Sequence, residues 1–224
     1  EGKGPADLDK STIHYQVYLS EKEATRTLID FYQAVRGDDF HQIIESVKNF
    51  AWADAKRFAL RDRLRAQAIV DNLGDEQPTC VEAGPMHLLL SQNLRTLVPP
   101  GWSLKPVFVE HLGLRQLGLT SGLYGPGDQL TVHCLFKRQI KAELANLLCA
   151  RTLVFMNIVR KDEYSGQNGP FPHLRDEAQA AALVNQLSFE QCRQLFWRIR
   201  DQSVETATGL VREHISDTPA KPFP

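Results

Sequence analysis

Two residues have the type and setting for chemistry: a histidine after a glycine-proline turn, and a carboxylate on an apolar helical face. His87 closes the run Glu82-Ala83-Gly84-Pro85-Met86-His87. The segment before it, Thr79 to Ala83, is short and β-branched, and the segment Met86 to Val98 has helical spacing, so a strand turning into a helix is expected. Proline favours the first helical position, which would put His87 in the first turn. There the partial positive charge of the helix end disfavours imidazolium, leaving a neutral ring able to act as base or metal ligand. The competing reading is a histidine that caps or packs locally. Glu82 and Gly84, at the carboxyl end of the expected strand, are candidate ligand-binding residues.

The carboxylate emerges when the segment Trp52 to Leu73 is turned at about 100° per residue. Ala55, Ala59, Ala66, Ile69 and Leu73 share one face, and Asp62 falls near its middle. An isolated buried charge costs on the order of several kcal/mol, so Asp62 must be paired, hydrogen-bonded or protonated. Its partner is either a structural arginine or a functional group. Arg61, one step round the helix, either stays solvated or reaches over the sheet edge.

These residues admit three readings. In a hydrolase, His87 is a metal ligand or general base, and Asp62 or Glu82 orients it or a water, with Arg61 as a third catalytic candidate. In a haem or small-ligand binder, His87 or Tyr124 is the axial ligand. In a non-catalytic interaction module, His87 is packing, and a helix Phe189 to Ile215 bearing Trp197 forms the partner face. Divalent metal and haem are thus the cofactors to consider. A further ligand-binding candidate is His173, in the polar stretch Arg160 to Asp176 with Lys161, Asp162, Glu163, Tyr164 and Arg175. Tyr124-Gly-Pro-Gly-Asp128 lacks dinucleotide-fold spacing and a Walker lysine, and reads as a turn with a helix cap at Asp128. Neither a Gly-x-Ser-x-Gly elbow nor a His-Glu-x-x-His helix occurs in the sequence.

The elements that must position these groups read as α/β. Ser20 with Glu23 suggests a capping box, followed by a helix to Gly37. Phe40 to Leu73 reads as two helices with a break near Asn49, ending at Gly74 in the left-handed region. Thr79 to Ala83, Leu104 to Val109 and Thr152 to Val159 read as strands, with Leu130 to Phe136 a possible fourth. Met86 to Val98 and Asp128 to Ala150 read as helices between them. The expected fold is a small, mainly parallel sheet flanked by helices, with a long C-terminal helix begun by a capping box at Ser188 and Gln191. Residues 1–217 would form one domain with a loose start over 1–11, and 218–224 a flexible proline-rich tail.

The order Arg61-Asp62-Arg63-Leu64-Arg65-Ala66-Gln67-Ala68-Ile69, a strand, and then Glu82-Ala-Gly84-Pro-Met-His87 resembles the later half of the TraB, ChaN and erythromycin-esterase-like superfamily. Its members carry an Arg-Asp-x-x-Met-Ala-x-x-Ile helix, then an apolar strand ending in a Gly-x-x-His type of turn. The likeness runs from Phe58 to Val109, with Arg65 in place of the methionine. The superfamily's opening Gly-Glu-x-His or Gly-Thr-x-His motif does not occur in this sequence. The resemblance implies an α/β scaffold whose members include metal-dependent peptidases, esterases and haem-binding proteins.

Composition narrows the setting. Of 224 residues 42% are hydrophobic and 24% charged, with a formal net charge of -1, as in ordinary globular chains. Basic residues are dispersed, so a nucleic-acid partner is not expected. The apolar stretch Leu144 to Val159 is broken by Arg151 and Asn157 and is shorter than the ~20 residues of a membrane span. Cys80, Cys134, Cys149 and Cys192 are too irregularly spaced for a zinc framework and read as reduced core cysteines of a cytoplasmic protein. Glu1 stands where a methionine would begin a chain, which implies a processed start or a piece of a longer protein.

Overall fold

Apolar side chains recur at three- and four-residue intervals along most of this chain, and its elements follow that period. The computed structural model describes residues 9–74, 78–119, 124–161 and 169–217, and every regular element among them is a helix. In order these are α1 (Ile13–Ala34), α2 (Phe40–Asp71), α3 (Leu88–Leu97), α4 (Val109–Gln116), α5 (Pro126–Leu135), α6 (Ala142–Ile158), α7 (Pro172–Val184), α8 (Phe189–Ile199) and α9 (Val204–Asp217). The expected α/β fold with a parallel sheet is therefore corrected to an α-helical one. The proline-rich tail, residues 1–8 of the N-terminal segment, and Asp162, Glu163 and Tyr164 lie outside the described residues.

The chain divides into two compact units, one of residues 1–108 and 131–138, the other of 109–130 and 139–224. In the first, α1 packs along α2, and α2 along α3. Thr12 caps α1, its hydroxyl accepting from Tyr15 N at 3.3 Å. The helix thus starts well before the expected capping box. Ser20, placed inside it, donates its hydroxyl to the Val17 carbonyl. Asp39 caps α2 by accepting from His41 and Gln42 amides at 2.9 and 3.2 Å. From there α2 runs 32 residues without the break expected near Asn49, spanning about 48 Å. Its first half buries Phe40, Ile43, Ile44, Val47 and Ala51, while α1 buries Ala24, Thr27 and Phe31. Its last turns supply Ala66 to a small cluster with Leu90 and Leu94 of α3, bordered by Ile69, Val70 and Leu104. The helix ends at Asp71, before Gly74, which is not among the glycines with positive φ.

In the second unit α6 is the central rod, packed by α7, α8 and α9. It buries Ala145, Leu148, Cys149, Ala150, Thr152, Leu153, Val154 and Ile158. A helix apolar on nearly every side has no amphipathic period, so Thr152 to Val159 imitates a strand. Thr152 satisfies its buried hydroxyl by donating to the Leu148 carbonyl at 2.8 Å. Arg151, the charge that breaks the apolar stretch, donates to the Leu187 and Asn185 carbonyls at 3.0 and 2.6 Å, beyond the end of α7. Where α4 meets α7, a Cβ on Gly113 would lie 2.8 Å from Leu174 Cδ2, so glycine permits their approach. The capping box at Ser188 and Gln191 is present. The expected long C-terminal helix is instead two, interrupted at Asp201-Gln202-Ser203, where Ser203 Oγ accepts from Thr206 N.

The other expected strands are also absent. Leu130 to Phe136 falls largely within α5, and Thr79–Ala83 and Leu104–Phe108 are irregular. No described helix is long and apolar enough to cross a membrane.

Cysteine environments give a direct test. All four thiols are free; Cys149 and Cys192 are buried, Cys134 is intermediate, and Cys80 is exposed rather than in a core. Burial pushes the Cys192 thiol up to about 12, with Arg151 opposing. Folding therefore favours the neutral thiol, and this contribution weakens stability only as pH rises from 9, where the unfolded thiol ionises, towards 12. At pH 8, iodoacetamide is expected to label Cys80 in the folded protein and Cys192 only after denaturation, as read by mass spectrometry.

Candidate functional site

The second half of α2 and the start of α3 bring the two sequence candidates together. Ala55, Ala66 and Asp62 are buried along one helical face, so the Asp62 carboxylate is carried into the α2–α3 contact. Opposite it, Gly84 to His87 forms a tight turn in which His87 N donates to the Gly84 carbonyl at 3.0 Å. Pro85 presets that turn rather than occupying the first helical position. His87 is the N-cap residue of α3, which has no side-chain cap.

From this position His87 bridges two residues of α2. Asp62 Oδ1 accepts from Nδ1–H at 2.5 Å, and the Nε2 atom lies 2.9 Å from Arg65 NH1. A guanidinium nitrogen can only donate. Nε2 is therefore the acceptor, and the ring is neutral with its hydrogen on Nδ1, an assignment made from the hydrogen-bond pattern. Phe58 meets the ring edge-on, with centroids 5.2 Å apart. Asp62 is completely buried, while the His87 side chain is 11% exposed and Arg65 is exposed. The site thus runs from a buried carboxylate, through an oriented imidazole, to a cation at the surface.

The two oxygens of Asp62 differ. Oδ2 is buried and accepts no hydrogen bond among the described residues. A carboxylate serving only to join two helices gains most when both oxygens are satisfied. Here one oxygen orients the histidine and the other is left without a donor.

The remaining candidates are distributed elsewhere. Arg61 turns to α1 and donates to Glu21 at 3.0 Å, beside Arg57, which contacts both Glu21 and Asp54. It braces α1 against α2 and does not join His87. Glu82 and Gly84 are exposed on the irregular segment before the turn. Tyr124 and His173 belong to the second unit. Burial, then Glu110 and Asp128, raises the Tyr124 phenol, which favours its protonated form over the phenolate that haem iron would take. Exposed His173 partly offsets the rise of the Glu177 carboxyl that burial and Asp128 cause.

The metal-ligand reading of His87 is corrected as well: among the described residues no three His, Cys, Asp or Glu side chains are grouped to hold a metal ion. Within the second unit, a cavity of about 300 Å3 is lined by Arg160, Asp176, Glu205 and Arg212 among others. Its charges are largely matched, since Arg160 N donates to Asp176 at 2.8 Å and its guanidinium lies 3.6 Å from Glu205.

Arg65 is the contact of His87 that sequence reasoning missed. Its spacing, three residues after Asp62, places it on the same helical side.

No family model and no solved structure matches the chain. It is 31% identical over 179 residues to an uncharacterized protein of Archaeoglobus fulgidus, across 80% of this chain and 60% of the archaeal protein. The chain therefore spans about three fifths of that relative's length.

The buried contact should be measurable as an energetic coupling. A double-mutant cycle with Asp62→Ala and His87→Ala, read by urea unfolding, is expected to give about 1.5–3 kcal/mol, the range for a hydrogen bond to a charged group. Additive effects would mean that the pair is not joined.

Proposed function

We propose that the chain carries a hydrolytic acid–base site in which Asp62 orients His87 as the general base. The observation that carries this reading is the asymmetry of the imidazole: Nδ1 is bound to a buried carboxylate, while Nε2 points to an exposed residue. That is the polarity a general base requires, with one nitrogen anchored on a carboxylate and the other held only by an exposed side chain that must move aside. The negative charge of Asp62 stabilises the imidazolium that forms when Nε2 takes a proton from water or a substrate hydroxyl.

The resemblance to the TraB, ChaN and erythromycin-esterase-like superfamily points to the same residues, although the α/β scaffold it implies is not the fold of this chain. Its two quoted pieces, the Arg-Asp helix and the Gly-x-x-His turn, are the pieces that meet in space, although the segment between them is irregular.

Hydrolysis of 4-nitrophenyl phosphate by the wild type, Asp62→Asn and His87→Gln forms tests the proposal. Removing His87 should lower turnover on the order of 10²- to 10⁴-fold, as for a lost general base. Asp62→Asn should also lower it while thermal unfolding stays near that of the wild type, because the amide preserves shape and removes a buried charge. Rates in His87→Gln equal to the wild type would overturn the reading.

A further inference from the structure

Arg65 creates a difficulty for any base at His87. A neutral imidazole has one acceptor lone pair, and Arg65 NH1 occupies it at 2.9 Å. Proton transfer to Nε2 requires that this bond open. Arg65 is suited to leave. It is exposed, and among the described residues it has no carboxylate partner, its one side-chain hydrogen bond going to His87. Arg57 and Arg61, two turns and one turn earlier on α2, are by contrast tied to Glu21 or Asp54. A guanidinium has five N–H donors, and one is used here.

We infer that Arg65 is the recognition residue for an oxyanion, a carboxylate or phosphoryl group on the ligand, and that binding this group releases His87 Nε2. The inference rests on the acid–base reading of Asp62 and His87 and adds the substrate class. Two parallel N–H donors to a charged oxyanion make stronger bonds than one to a neutral nitrogen, so an arriving anion outcompetes the imidazole. The uncapped start of α3, next to His87, adds a favourable partial positive charge for the same group. Ligands without an anionic group leave the lone pair blocked. Arg65 thereby confers specificity through access to the base.

Diethyl pyrocarbonate reads the state of this lone pair, because it acylates an unprotonated, unengaged imidazole nitrogen. The rate of modification of the His87 peptide is followed by mass spectrometry in the full chain at constant ionic strength and pH. Added acetate or inorganic phosphate replaces chloride, and the more effective anion identifies the oxyanion class. In the wild type the rate should rise saturably, by about tenfold or more. In Arg65→Met, which has no donor, it should be high from the start and insensitive to either anion, with circular dichroism confirming an intact fold. No acceleration in the wild type, or an Arg65→Met rate equal to the wild-type rate without anion, would overturn the inference. Acceleration without His87-dependent hydrolysis would uphold the anion site and remove the acid–base reading. His87-dependent hydrolysis without acceleration would do the reverse.

Discussion

A carboxyl group buried between two helices is the constraint on which the arrangement of the first unit depends. Asp62 has no exposure to water, and its one hydrogen bond among the described residues is the one from His87. That bond dictates where α3 must begin, because the imidazole has to arrive from a separate element at hydrogen-bonding distance. The Gly84-Pro85 turn sets its direction, and the packing of Leu90 and Leu94 on Ala66 holds the helix behind it. The surrounding ion pairs serve the same end from the opposite side, since Glu21 of α1 links Arg57 and Arg61 and steadies the helix that carries Asp62.

The energetics of this contact favour a functional account over a purely structural one. Burying a carboxylate with one oxygen unsatisfied costs more than filling the same space with an apolar residue. Leucine or methionine at position 62, with an apolar residue in place of His87, would fill that contact without the cost. Local stability forgone at a residue that orients a titratable ring towards the surface is the pattern expected of a site retained for its chemistry.

The site was more legible in the sequence than the fold. Helical phase alone placed Asp62 on an apolar face, and the Gly-Pro turn marked His87, because both signals are local and steric. The strands failed for two different reasons. Thr152 to Val159 lies in a helix buried on most sides, where hydrophobicity carries no period and β-branched residues serve packing. Thr79–Ala83 and Leu104–Phe108 have strand-like composition but remain irregular, since composition does not supply the pairing partner a strand needs. Ser20 and Glu23 match a capping box in spelling only, because Thr12 had already started the helix. Arg65 was overlooked as an exchange at a partly exposed position. Its contact with His87 depends on a turn 22 residues later in the chain, which helical phase does not reveal.

The most direct test of this account is the tautomeric state of His87, measured by long-range nitrogen–proton correlation NMR on histidine-labelled protein at neutral pH. A buried carboxylate at one nitrogen and a guanidinium donor at the other require a neutral ring with its proton on Nδ1 and an unprotonated Nε2. In Asp62→Asn that preference should weaken. A wild-type His87 carrying its proton on Nε2, or one whose spectrum is unchanged by Asp62→Asn, would contradict the central claim that Asp62 orients this histidine.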